Sequence, residues 1–116
     1  SSVVVATDCE HPSDGSIDAN LLELATGADL LIYDAQYTPE EYNPAAHGSR
    51  GPSKIGWGHS TMVEGAKLAK TAGVKHLVLT HHDPLHNDVA IDAIEKRAKS
   101  EFPSSQAAFE GLVIQI

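Results

Sequence analysis

The residues of this chain best suited to metal or acid–base chemistry stand where apolar runs stop. In Leu77-Val-Leu-Thr-His-His-Asp-Pro84 an apolar, β-branched run leads straight into two imidazoles and a carboxylate, and Pro84 forbids its continuation as a strand. Two other runs end in acid: Val3-Val-Val-Ala-Thr-Asp8 and Leu30-Leu-Ile-Tyr-Asp34. On α/β scaffolds polar chemistry gathers at the carboxyl ends of strands, where loops are free to carry it. One carboxylate offers two oxygens in different directions, so Asp8 could bridge two metal ions. His81 could offer a ring nitrogen to a metal while the other nitrogen bonds backbone or carboxylate. His59 lies just before Thr61-Met-Val-Glu64, a helix-opening pattern, and with Asp34 orienting its ring would make an acid–base pair.

Each of these residues also has a plain structural role available. Asp8 could close an Asx-turn, Asp34 could be a solvated loop acid or a cap, and His59 could merely help cap a helix. His82 and Asp83 are expected to support His81 rather than ligate. His11, His47 and His86 are expected in loops, solvated or lining an opening, and His76 is expected to be structural. Cys9 reads as an inert, half-buried thiol.

The elements that must position these groups follow from periodicity. Residues 3–7 and 29–33 read as buried strands, and residues 74–79 as a third. Residues 17–26 form an amphipathic helix capped by Ser16 or Asp18, with Leu21, Leu22 and Ala25 inward and Gly27 ending it. Thr38-Pro-Glu-Glu41 is a capping box with proline at the first helical position, enough for a turn or two. Residues 43–58, rich in Gly, Pro, Ser, His and Ala, form the longest loop, a lid or binding loop by its length. The helix opened by Thr61 runs to Ala72, with Met62, Ala66 and Ala69 inward and Gly73 ending it. A last helix over residues 88–100 is capped by Asn87 and buries Ala90, Ile91, Ile94 and Ala98; residues 112–116 are expected to close the sheet. The alternation implies one α/β domain.

Composition narrows the function. With 116 residues, 41% apolar and 21% charged, the chain is a globular domain with one modest core. Eight basic against sixteen acidic residues give a net charge of −8, which argues against nucleic-acid binding by a broad basic face and against a tRNA substrate. A single cysteine forms no intramolecular disulfide and fits a reducing, cytoplasmic setting. No apolar run is long enough to span a membrane, and residues 1–6 do not resemble a signal peptide. The chain starts inside a strand, so a missing beginning is expected.

Taken in order, Thr7-Asp8, Leu31-Ile-Tyr-Asp34-Ala-Gln-Tyr, Gly56-Trp-Gly-His-Ser-Thr61 and Leu79-Thr-His-His-Asp-Pro84 resemble the carboxyl-terminal half of a metallo-β-lactamase-fold hydrolase, in the branch of RNase Z and related phosphodiesterases. The resemblance covers nearly the whole chain. It implies an α/β half of an αββα sandwich, a mixed sheet with helices on one outer face, with residues 1–116 as the carboxyl-terminal half. It implies Asp8 as a metal-bridging aspartate, His81 as the last metal-ligating histidine, and Asp34 with His59 as a pair assisting proton transfer to the leaving group. In that branch the acid is usually a glutamate in His-Glu-Ala-Thr, whereas here it stands in Tyr-Asp-Ala-Gln. The family's main ligand cluster, His-x-His-x-Asp-His, has no match among these residues. The expected partner is therefore the amino-terminal half, as a second chain or a cleaved fragment, with homo-oligomerisation also open. The expected cofactors are two divalent metal ions, zinc first and manganese or iron next, and the substrate a small phosphodiester.

A second reading needs no missing half. A self-contained α/β binding module, receiver-like or nucleotide-binding, would use Asp8 and Asp34 as an acidic pocket for one Mg²⁺. It would want a lysine at a late strand end, where this chain has histidines, and neither a P-loop nor Gly-x-Gly-x-x-Gly is present.

Overall fold

A computed structural model describes all residues, 1–116. Four strands, β1 (Val3–Ala6), β2 (Leu30–Asp34), β3 (His76–Thr80) and β4 (Ser105–Ala107), form one sheet in the order β1-β2-β3-β4. Every neighbouring pair is parallel. The α/β half-sandwich is as expected, but its sheet, expected to be mixed, is wholly parallel within this chain. Helices α1 (Ala19–Ala25), α2 (Pro39–Tyr42), α3 (Met62–Ala72) and α4 (Asp88–Glu101) lie in the connections, with a 3-10 turn at Pro44–His47. Right-handed crossovers that always step the same way across a sheet lay all their helices on one face. This order and single helical layer exclude the receiver-like alternative, whose doubly wound sheet reverses its strand order and carries helices on both faces.

Register decides which side chains meet the helices. Val4 aligns with Leu31 and Leu77, and Ala6 with Tyr33 and Leu79. These six residues share one buried cluster with Ala25 of α1, Met62, Ala66, Leu68, Ala69 and Ala72 of α3, and Ile94 and Ala98 of α4. The alternate positions Val3, Val5 and Ile32 point to the opposite face, where Val3 is 47% and Val5 62% exposed. Only the β1 end of that face is open to solvent, since Leu30 and Val78 on the same side are buried.

Local signals set most boundaries. Asp18 accepts the Leu21 N–H at 2.9 Å to start α1, and Asn87 accepts that of Ala90 at 2.9 Å to start α4. Around α2 the capping box is complete, with Thr38 and Glu41 bonded reciprocally. At α3 only half forms: Thr61 accepts the Glu64 N–H, while the Glu64 carboxylate turns to Lys67 at 3.6 Å. Gly65 sits on the inner face of α3 because a Cβ there would lie 2.7 Å from Cδ1 of Tyr33. The closing strand differs from expectation. It is Ser105–Ala107, three residues without a β-branched side chain, while residues 112–116 have no regular structure. Pro103 stops α4 and turns the chain straight onto the sheet edge, where register with Leu77–Leu79 makes the strand that propensity does not. On α4, Ile94 and Ala98 are buried as expected, but Ala90 and Ile91 are only partly covered. No helix is long and apolar enough to cross a membrane.

Candidate active site

Because all strands run the same way, their carboxyl ends share one edge. Asp34 ends β2, His81 follows β3 directly, Asp8 lies just beyond β1, and His59 stands ahead of α3. One ligand-type atom from each of Asp8, Asp34, His59 and His81 falls within 4.8 Å of the others. The sequence-predicted residues are thus brought together from four separate stretches of the chain.

Two of them sit in unusual backbone. Asp8 has φ 51° and His81 φ 59°, both in the left-handed region. That conformation costs about 1–3 kcal/mol for a residue with a Cβ and persists only where surrounding bonds over-determine it. Here the Asp8 N–H is held by the Asp34 carboxylate at 3.0 Å, and the Cys9 thiol bonds back to the Ala6 carbonyl. Beside His81, the Ala35 N–H bonds the Thr80 carbonyl at 2.9 Å. The turns aim both side chains off the strand ends into the cluster.

Asp34 is the hub, and it is fully buried. Its Oδ2 accepts from the Asp8 N–H at 3.0 Å and from His59 Nδ1 at 3.0 Å. Oδ1 accepts from the Ser60 N–H at 3.2 Å and the Gln36 N–H at 3.3 Å. Of the roles open to it, a solvated loop acid is excluded. A carboxylate only accepts, so the His59 proton facing it is on Nδ1, leaving Nε2 directed elsewhere. The rings of His59 and His81 stack at 4.6 Å, and Tyr37 meets His59 edge-on at 6.1 Å.

The donor set suits a divalent metal. Metal–ligand bonds near 2.0–2.1 Å put tetrahedral neighbours about 3.3 Å apart. Asp8 Oδ1 and His81 Nε2 are 3.5 Å apart, with the Asp8 side chain 73% exposed. Asp34 has spent both oxygens on hydrogen bonds, and His59 has spent Nδ1. Asp8 Oδ1 and His81 Nε2 are thus open donor atoms at a spacing that one metal ion could bridge.

His11 and His86 line clefts from loops, as expected, but neither ring is free there. His11 is not free in a loop: its Nδ1 bonds the buried Ser60 hydroxyl at 2.8 Å, and Ser60 also bonds the Tyr33 hydroxyl at 3.0 Å. Burial holds the His11 imidazole below its usual pKa, against the attraction of Glu64 and Glu10. His86 has a side chain only 7% exposed and bonds Glu41 at 2.9 Å, so it too is structural. His82 is partly buried and bonded to nothing, consistent with packing rather than ligation. Tyr37 and Tyr42 are buried, whereas Trp57 is 57% exposed with the Lys54 ammonium 4.2 Å above its ring. Burial, reinforced by the Asp34 charge, pushes the Cys9 thiol up to about 11, so it is a poor nucleophile.

Sequence reading missed Glu10. Its carboxylate accepts from the Tyr42 hydroxyl, from the Gly56 N–H at 2.7 Å and from the Gly58 N–H at 3.0 Å. The available signal was Gly-x-Gly just ahead of His59, a turn that presents adjacent N–H groups, with an acid two residues beyond Asp8.

Comparison with known proteins agrees with this geometry. A family model described as the beta-lactamase superfamily domain matches residues 1–82. The chain is 38% identical over 92 residues to a Ribonuclease Z of Brevibacillus brevis, covering 76% of this chain and 26% of that protein. It is 35% identical over 113 residues to a Ribonuclease Z of Gemmatimonas aurantiaca, covering 97% of this chain and 31% of that protein. It thus spans under a third of the length of the curated relatives it matches. Among solved structures, the metallo-beta-lactamase fold protein YhfI from Bacillus subtilis superposes with a TM-score of 0.70 at 23% identity, over 95% of this chain and 37% of that one. The fold expected from the motifs is the fold found.

Proposed function

The chain belongs to the beta-lactamase superfamily, and from that premise we propose that it is the carboxyl-terminal part of a metal-dependent hydrolase acting on phosphodiesters. One observation carries the proposal. A fully buried Asp34, locked by three backbone N–H groups, orients His59 beside the open donor atoms of Asp8 and His81. A structural cap needs neither a buried charge nor two left-handed residues aimed at the same point.

Asp8 and His81 are the residues that would hold the metal. Bound divalent ions would supply Lewis acidity toward the phosphoryl oxygens and lower the pKa of an attacking water. Imidazole and carboxylate donors suit zinc first, then manganese or iron. His59 does the proton work. With Nδ1–H held by Asp34, Nε2 is the atom that hands a proton to the departing oxygen as its bond to phosphorus breaks. Asp34 balances the charge of the doubly protonated ring before transfer. Its backbone bonds keep it from rotating away, so the ring keeps one orientation.

Two open donors are fewer than the four of a closed zinc site. The remaining ligands are proposed to come from an amino-terminal half of the same fold, present as a second chain or as another segment of the protein. In favour stand the short span relative to the relatives and the exposed Val3 and Val5 at the β1 end of the outer sheet face. That half would cover an apolar face rather than a charged one. A small phosphodiester fits better than a long polyanion, given the net charge of −8. A lone, unreactive thiol is in keeping with a cytoplasmic setting.

The test uses the complete protein loaded with zinc or manganese and bis(4-nitrophenyl) phosphate as substrate. His59→Ala should lower kcat by roughly 10²–10⁴-fold with metal content intact, and Asp8→Ala should lose metal. Loss of metal from the His59 variant, or undiminished turnover, overturns the assignment.

A further inference from the structure

The staple around Glu10 does more than close a loop. We propose that Glu10 is a positioning residue for His59, holding the acid–base loop in place through the backbone N–H groups of Gly56 and Gly58. This rests on the reading of His59 as the proton donor.

The geometry is specific. Gly56 has φ 88° and Gly58 φ 87°, a conformation that residues with a Cβ rarely adopt. Both N–H groups turn toward the carboxylate, while Trp57 between them swings out to solvent. This is a backbone cradle for an anion, and Glu10 fills it from within the chain. The third partner, the Tyr42 hydroxyl, ties the same carboxylate to α2. Three donors converge on Glu10, and only a carboxylate accepts at both of its ends. An amide would present a donor to one of them.

His59 is thereby held from both sides. Before it, the Gly58 N–H is fixed by Glu10. After it, the Ser60 N–H is fixed by Asp34, and the Ser60 hydroxyl by His11 and Tyr33. Glu10 and His11 belong to the same loop as Asp8. A single short segment thus sets both the exposed carboxylate and the position of the imidazole, whose Nδ1 lies 3.9 Å from Asp8 Oδ1. Loosening the staple would let residues 55–59 drift while leaving the sheet, the helices and the metal-holding side chains in place.

The experiment compares Glu10→Ala and Glu10→Gln in the complete, metal-loaded protein. One readout is kinetic, with bis(4-nitrophenyl) phosphate; the other is ¹⁵N–¹H NMR of the His59 ring, which needs no turnover. The native protein should show a slowly exchanging His59 Nδ1–H signal. Glu10→Ala should lose it, with kcat down by about 10–100-fold, the order expected of an ångström-scale misplacement, and with KM and metal content little changed. Glu10→Gln, which keeps one acceptor oxygen, should fall between, and it carries the test if the alanine variant does not fold. A Glu10 variant with the native ring signal and native kcat overturns the proposal, as does one that changes KM alone. If His59→Ala turns over normally, the proton-donor reading fails instead, and the ring signal still decides whether Glu10 positions the imidazole.

Discussion

Replacing Asp34 with asparagine tests the architecture of the site most directly. The carboxylate is fully buried and receives four donors, two on each oxygen. Asparagine keeps the shape but offers one acceptor oxygen and one NH₂. If its oxygen faces Asp8 and His59, the Ser60 and Gln36 N–H groups meet a donor. Gln36 is only partly buried and can turn to water, but Ser60 is 0% exposed and cannot. If the side chain flips, His59 can change tautomer and accept from the NH₂, while the Asp8 N–H, on an exposed residue, loses its charge-assisted bond to the carboxylate and turns to water. Each orphaned buried donor costs about 1–3 kcal/mol, and charge-assisted bonds lost on the other side add to it. Relief from burying a charge offsets part of this. A net loss of about 2–4 kcal/mol follows, or roughly 6–20 °C in Tm for a domain of this size. By contrast, His59→Ala removes one donor from an otherwise satisfied carboxylate and should cost about 1 kcal/mol or less. Equilibrium urea unfolding of both variants beside the native protein separates the two. An Asp34→Asn variant within about 0.5 kcal/mol of native would refute the view of Asp34 as a buried hub.

Other expectations follow from particular contacts. Gly65→Ala gains about 1 kcal/mol of helix propensity. The new Cβ would lie 2.7 Å from the Tyr33 ring and 3.3 Å from Leu79, so overpacking of about 1–3 kcal/mol should dominate; thermal melts should show net destabilisation, and a neutral or raised Tm would contradict the packing. Arg97 reaches both Glu40 oxygens at 2.9 Å, but both side chains are about two-fifths exposed. Arg97→Ala should therefore cost under about 1 kcal/mol, less at high salt, which a double-mutant cycle with Glu40 would measure. Stability should fall in two stages on acidification. His11 has a folded pKa below its ordinary 6.5, so the unfolded chain takes up the proton first and stability declines as pH drops below 6.5. Glu40, held below its ordinary 4.5 by Arg97, contributes stability that is present above 4.5 and lost as pH falls through its folded value. Burial also holds His82 below its ordinary value, so His11→Asn should shrink but not abolish the first stage of a pH series of urea midpoints and leave the second; an unchanged first stage would show that His11 does not contribute there.

The strands, the main helices and their caps were legible in the sequence because each rests on a local rule. Asp18, Thr38, Thr61 and Asn87 cap helices through their own side chains, and Gly73 ends α3 in the left-handed region. Asp8, Asp34 and His81 were legible because a strand end is a local event, and a parallel sheet brings such ends to one edge. What the sequence could not settle is how those groups share their bonds. That Asp34 spends both oxygens on hydrogen bonds, leaving Asp8 and His81 as the open donors, depends on loops far apart in the chain. The same holds for β4, which exists through register with β3 rather than through propensity, and for His11 and Glu10, whose partners Ser60, Gly56 and Gly58 lie far along the chain. Side-chain type and spacing fix local conformation, whereas the pairing of buried donors with acceptors is a property of the packed whole, because each polar group removed from water takes whichever partner the fold brings within reach.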